Sequence, residues 1–203
     1  MDKAWAEEVT IVALGDSTTA GTPGFLSPLE SPPDGAGDVE SQYTYWIGQK
    51  HPEWKMYNRG VNGERTDQIF KRFDRDVLAL KPRAVIVLAG VNDLFQGVSA
   101  EGIRMNLRAT YQRATQAQIK VVACTILPYN TSTSKVKARM QEVNEWIHAY
   151  TKEQGLGFCD LYAAVNDPRR PGKLVSSDDD IHPDVEGYKK IGFALSDCIE
   201  QAL

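Results

Sequence analysis

A serine hydroxyl, an imidazole and a carboxylate form one catalytic unit when the imidazole takes the hydroxyl proton and the acid fixes the imidazole. This chain supplies all three, with Ser17 in Leu14-Gly15-Asp16-Ser17, and Asp179 and His182 in Asp178-Asp179-Asp180-Ile181-His182-Pro183. Asp179 stands three residues before His182, a separation that a local turn closes, so it can hold the ring in the tautomer that leaves the far nitrogen free. The other histidines, His51 before Pro52 and His148 on a polar helical stretch, lack such an acidic run and read as surface residues. Acyl transfer also needs donors for an oxyanion. The candidates are the backbone N–H of Ser17, a glycine N–H from Asn58-Arg59-Gly60-Val61-Asn62-Gly63-Glu64-Arg65-Thr66, and the side-chain amide of Asn92 in Gly90-Val91-Asn92-Asp93. Each fragment alone reads equally as turn or helix-cap chemistry.

What must position these groups is read from apolar periodicity. Short runs suited to buried strands occur at Val9 to Leu14, Trp54 to Asn58, Ala84 to Ala89, Lys120 to Thr125 and Leu156 to Asp160. Between them, apolar residues recur at helical spacing: Ile69, Phe73, Val77 and Leu80; Ile103, Leu107, Tyr111 and Ala114; Val136, Met140, Val143, Ile147 and Tyr150. A last helix starts near Pro183 and carries Tyr188, Ile191, Leu195 and Ile199. Five strands alternating with helices predict right-handed crossovers, a parallel sheet and helices on both faces, a three-layer α/β/α sandwich. In such sheets ligands collect at the carboxyl ends of strands, where Ser17, the glycine-bearing stretch and Asn92 all fall.

One stretch breaks the alternation. From Thr18 to Gln49 there is no Lys or Arg, and Pro23, Pro28, Pro32, Pro33 and five glycines interrupt regular structure. The expectation is an irregular loop over about 22–41 that overhangs the site and shapes the substrate pocket. Within a single domain spanning 1–203, no internal repeat or linker is visible.

Composition narrows the partners. A formal charge of −4 argues against nucleic acid or an anionic membrane held by a general field. No apolar run reaches the roughly 20 residues of a membrane span, and the start lacks the apolar core of a signal peptide. The sequence as it stands reads as cytoplasmic, or as secreted if an export signal has been removed. Cys124, Cys159 and Cys198 lie in apolar stretches without Cys-x-x-Cys spacing, and buried free thiols are the expectation, with no metal site. Asn130-Thr131-Ser132 matches a glycosylation acceptor, a pattern common by chance. Gly-x-Ser-x-Gly, Gly-x-Gly-x-x-Gly, P-loop and His-Glu-x-x-His motifs are all missing, which removes the α/β-hydrolase elbow and the nucleotide and zinc-protease readings.

Taken together, Gly15-Asp16-Ser17, Asn58 through Gly63, Gly90-Val91-Asn92-Asp93 and Asp179-Asp180-Ile181-His182 resemble the four blocks of the SGNH hydrolases, the GDSL esterase and lipase family. They occur in the family's order and span nearly the whole chain. The resemblance implies a flavodoxin-like five-stranded parallel sheet between helices. It implies Ser17 as nucleophile, His182 as base and then acid, Asp179 as its partner, and an oxyanion hole from Ser17, Gly63 and Asn92. The family's pattern favours Gly63 over Gly60, because Glu64 and then Thr66 follow it, and its spacing selects Asp179 over Asp178 and Asp180. Asp16 and Asp93 read as turn anchors. The expected activity is a cofactor-independent serine esterase acting on a small-molecule ester, short-chain or acetyl and on a carbohydrate in one version. A lysophospholipase or thioesterase, with Phe25, Leu26, Leu94, Phe95, Leu127 and Tyr129 lining an acyl groove, is the enzymatic alternative. A non-catalytic small-ligand-binding module is the alternative from another class. Oligomeric state is not readable.

Overall fold

The computed structural model describes residues 9–203. Its centre is β1 (Val9–Gly15), where Ile11, Val12, Ala13 and Leu14 are all fully buried. A strand covered on both faces needs such a continuous apolar run. β1 is followed by α1 (Ser17–Ala20), a small hairpin of β2 (Phe25–Leu26) and β3 (Ala36–Gly37), α2 (Tyr43–Lys50) and β4 (Trp54–Gly60). Next come α3 (Thr66–Lys71), α4 (Phe73–Asp76), β5 (Ala84–Leu88), α5 (Val91–Phe95), α6 (Ala100–Gln116) and β6 (Lys120–Cys124). The chain ends with α7 (Ser134–Gln154), β7 (Gly157–Cys159), α8 (Leu161–Val165) and α9 (Val185–Ala202).

The main sheet has five strands in the order β4-β1-β5-β6-β7, and every pairing is parallel. Alternate residues feed opposite faces. Val12, Leu14, Val85 and Val87 join a core with residues of α3, α4, α6 and α7, while Ile11, Ala13, Ile86 and Leu88 join one with α2, α8 and α9. The predicted stripes supply those helices: Ile103, Leu107, Tyr111 and Ala114 are buried on α6, and Tyr188, Ile191, Leu195 and Ile199 on α9. From β1 the chain crosses to β4 on one side and then to β5 on the other, so the crevice at this reversal opens beyond the carboxyl ends of β1 and β5.

Four expectations are corrected. The stripe Ile69 to Leu80 is not one helix: it breaks at Arg72, which turns inward so that its guanidinium donates to the carbonyls of Gly15 and Arg59, each at 2.9 Å. Cys159 and Cys198 are joined in a disulfide that ties β7 to α9, leaving only Cys124 free. Spacing carried no signal for that pair, because the partners are 39 residues apart and meet only through the crossover. His51 is not a surface residue; it is buried, stacked on Trp54 at 3.8 Å between ring centroids, with Nδ1 3.1 Å from Glu53. The stretch 22–41 is ordered around a two-strand hairpin, with Phe25 buried in it. Among the described residues no helix is long and apolar enough to cross a membrane.

Candidate active site

Ser17 reaches the site because β1 ends in a glycine with no room for a side chain. A Cβ at Gly15 would lie 2.1 Å from Thr19 Oγ1 and 2.3 Å from the Leu88 carbonyl oxygen. The chain therefore turns tightly, and Asp16 caps the short α1 by accepting the Thr18 N–H at 3.1 Å. Burial raises the Asp16 carboxyl from its ordinary value to about 7, the Thr18 hydrogen bond pulling the other way and the Asp93 charge adding to the rise. Ser17 itself is buried, and its N–H donates to no group among the described residues.

His182 comes from the other end of the chain, just before α9, whose N-cap Asp184 accepts the Gly187 N–H at 2.9 Å. Its Nε2 lies 2.9 Å from Ser17 Oγ, and its Nδ1 lies 2.6 Å from Asp179 Oδ2. The carboxylate also accepts the backbone N–H of Ile181 at 2.9 Å and of His182 at 2.7 Å, both on Oδ1. Desolvation opposes ionisation here, but these bonds outweigh it and bring Asp179 down to about 2. With Nδ1–H committed to a carboxylate, the network assigns Nε2 as the acceptor for the serine proton.

The turn holding this acid is fixed from outside. Asp180 adopts φ 63°, a left-handed conformation that Asp tolerates. Asn130, on the loop after β6, donates from Nδ2 to Asp180 Oδ1 at 2.8 Å and from its N–H to the Asp180 carbonyl at 2.8 Å. Its Oδ1 accepts the Leu174 N–H at 2.9 Å. In the sequence Asn130 stood out only as part of a glycosylation pattern; its amide is already committed to this turn.

The remaining two strand ends complete the surround. After β4, Gly63 has φ +75°, open space where a Cβ would be, and an N–H that donates to no group among the described residues. Gly60 is unavailable, because its N–H is taken by Asn58 Oδ1 at 3.0 Å and it does not border the cavity. After β5, Asn92 donates from Nδ2 to the Glu64 carbonyl at 3.0 Å. Asp93 is fully buried and accepts both the N–H and the hydroxyl of Thr66, at 2.9 and 2.6 Å. Burial raises its pKa, with the Thr66 bonds opposing. Arg72 ties the blocks together, bonding Glu64 at 2.6 Å and Asp76 at 2.8 Å beside the Gly15 and Arg59 carbonyls.

Ser17, Gly63, Asn92 and His182 border one cavity of about 350 Å³, floored by Leu88, Ala89, Val91, Ile126, Leu127 and Pro128. Asp179 stands behind His182, outside the lining. Phe95 and Ile181, 50% and 36% exposed, stand at this cavity, and Phe95 stacks on Tyr129 at 4.6 Å. Of the six proposed groove residues only Phe95 and Leu127 border it; Phe25, Leu94 and Tyr129 are packed inside and Leu26 faces solvent. No residue of 22–41 borders it either, which corrects the expectation of an overhanging pocket wall.

A hydroxyl, an oriented imidazole and unpaired N–H groups around a small apolar cavity can run acyl transfer. Residues 13–190 match the profile of the GDSL-like Lipase/Acylhydrolase family. The chain belongs to this family. Among solved structures its fold is similar to a candidate lipolytic protein of the G-D-S-L family from Desulfitobacterium hafniense DCB-2, at 26% identity and TM-score 0.78, covering 94% of this chain and 99% of that one. It is also similar to a GDSL-like lipase from Bacteroides thetaiotaomicron, at 22% identity and TM-score 0.74 over 100% of this chain and 93% of that one. An acetylxylan esterase, Axe2 from Geobacillus stearothermophilus, matches at 20% identity and TM-score 0.74, covering 98% and 96%. No curated protein sequence matches. Membership of the GDSL-like Lipase/Acylhydrolase family places this chain among hydrolases, and the parallel sheet with helices on both faces is the architecture these structures share.

Proposed function

We propose that this GDSL hydrolase is a serine esterase that cleaves short-chain carboxylic esters through an acyl-enzyme on Ser17. The observation that carries the reading is the continuous chain Asp179 Oδ2, His182 Nδ1, His182 Nε2, Ser17 Oγ, at 2.6 and 2.9 Å. In the first step Ser17 Oγ attacks the ester carbonyl while His182 Nε2 takes its proton. The negative oxygen accepts hydrogen bonds from Ser17 N–H, Gly63 N–H and Asn92 Nδ2. Collapse expels the alcohol, which takes the proton back from His182. Water then gives a proton to His182 and attacks the acyl carbon, and the proton returns to Ser17 as the acid leaves. Asp179, ionised down to about pH 2, stabilises the imidazolium in both halves.

The cavity supports a small acyl group, since about 350 Å³ lies at the low end of ligand pockets. An acetyl ester, carried on a carbohydrate in the acetylxylan esterase of similar fold, is the preferred substrate class; a Ser-to-Ala form of that enzyme is described as a catalytic mutant. A second reading, a lysophospholipase or thioesterase, draws on the exposed Phe95 and Ile181 beside the cavity. Rates on acetyl, butyryl and octanoyl esters separate them. Turnover falling with chain length supports the first; turnover rising toward octanoyl supports the second and contradicts the first. Ser17→Ala should abolish all three while the fold persists.

A further inference from the structure

The stretch 22–41 stays out of the cavity but is bonded to the loop that carries Gly63. Glu30 Oε1 accepts the Asn62 N–H at 2.8 Å, and Thr22 Oγ1 donates to Asn62 Oδ1 at 2.5 Å. Ser27, fully buried, donates from Oγ to the Gly60 carbonyl at 2.6 Å, and its N–H lies 3.3 Å from Glu30 Oε2. One carboxylate thus bridges the hairpin stretch and the residue just before Gly63. On the other side the Glu64 carboxylate is held by Arg72 at 2.6 Å and its carbonyl by Asn92 at 3.0 Å. The Gly63 peptide hangs between these two clamps with no bond from its own N–H to any described residue.

Glycine at positive φ is the least constrained of residues, yet an oxyanion donor works only when fixed before the charge develops. The clamps therefore supply what Gly63 lacks. Resting on the esterase reading above, we infer that Glu30 is a positioning residue: 22–41 is a buttress that sets the Gly63 N–H through Asn62. The oxyanion forms only in the transition state, so a loosened donor lowers kcat and leaves KM nearly unchanged.

The test compares kcat and KM on an acetyl ester for Glu30→Ala, Glu30→Gln and Asp34→Ala, the last an exposed residue of the same stretch. Glu30→Ala should lose about 10-fold to 100-fold in kcat with KM within about twofold. Glu30→Gln should recover most of it, because an amide oxygen still accepts the Asn62 N–H. Asp34→Ala should match wild type. Wild-type kcat in Glu30→Ala, a loss confined to KM, or no recovery in Glu30→Gln overturns the inference. Where Glu30→Ala fails to fold, Thr22→Val decides: reduced kcat at constant KM supports the buttress and wild-type kcat overturns it. A wild-type protein that neither hydrolyses the ester nor labels at Ser17 defeats the esterase reading and this inference together, whereas an active wild type with an equally active Glu30→Ala defeats only the buttress.

Discussion

At the residue scale, Asp16 beside Ser17 in sequence and Asp179 behind His182 carry opposite electrostatics. Asp179, held by His182 Nδ1, the backbone N–H groups of Ile181 and His182 and the Ser177 hydroxyl, sits below its ordinary value, so its contribution to stability is present above about pH 4 and lost as pH falls toward about 2. Asp179→Asn should therefore lower kcat by about 10⁴-fold, by forcing the wrong imidazole tautomer, in a protein that still folds. A loss of less than tenfold, read from kcat on an acetyl ester, would contradict its role. Asp16 sits above its ordinary value of 3.8, so folding is penalised as pH rises: no cost at low pH, where both states are protonated, and the full cost above about 7. The wild-type melting midpoint should fall more steeply between about pH 4 and 7 than that of Asp16→Asn, which keeps the Thr18 hydrogen bond. Equal slopes would remove burial of Asp16 as a pH-linked cost. Asn92→Ala should reduce kcat by about 10²-fold or more, because a donor is lost where the charge develops.

At the scale of elements, the site depends on loops that are fastened by side chains far away in sequence. Asn130 grips the turn at Asp180 from the end of β6. Asn130→Ala should free that turn and cost about tenfold in kcat, measured alongside the melting midpoint; unchanged kcat would make the grip irrelevant to the acid–base pair. The Cys159–Cys198 bond closes a loop of 39 residues between β7 and α9. Chain entropy alone puts its contribution near 4 kcal/mol, so Cys198→Ser should lower unfolding free energy by about that amount in denaturant titration. Strand runs, the stripes of α6 and α9 and the Asp179–His182 pairing were legible in sequence because each rests on local period or short spacing, whereas Ser17, 165 residues from His182, stood out only as part of the family-like motif blocks. The roles of Glu30, Asn130, Arg72, His51 and the disulfide were not legible. Glu30, Asn130, Arg72 and the disulfide take their meaning from partners 32, 50, 57 and 39 residues away, which local pattern does not reveal, and His51 from a ring stack on Trp54 that the residue types alone did not announce. The polar 22–41 stretch pointed to function by its length, but length does not say which face a loop packs against.

For the whole molecule, the strand order β4-β1-β5-β6-β7 decides why residues spread from 17 to 182 meet. Reversal of the winding at β1 leaves a crevice over β1 and β5, the loops after β4 and β5 flank it, and α9 returns its N-terminal turn across the sheet to bring His182 within 2.9 Å of Ser17. Three strand ends, those of β1, β4 and β5, and the turn before α9 thus meet around one crevice, and the parallel strands beneath set where their loops stand. The most direct measurement of the central claim is covalent capture by a fluorophosphonate, in which the nucleophile displaces fluoride from phosphorus. Peptide mass spectrometry should find the adduct on Ser17, absent in Ser17→Ala and strongly slowed in His182→Ala. A folded wild-type protein that stays unlabelled, or one labelled equally in Ser17→Ala, would contradict Ser17 as the nucleophile.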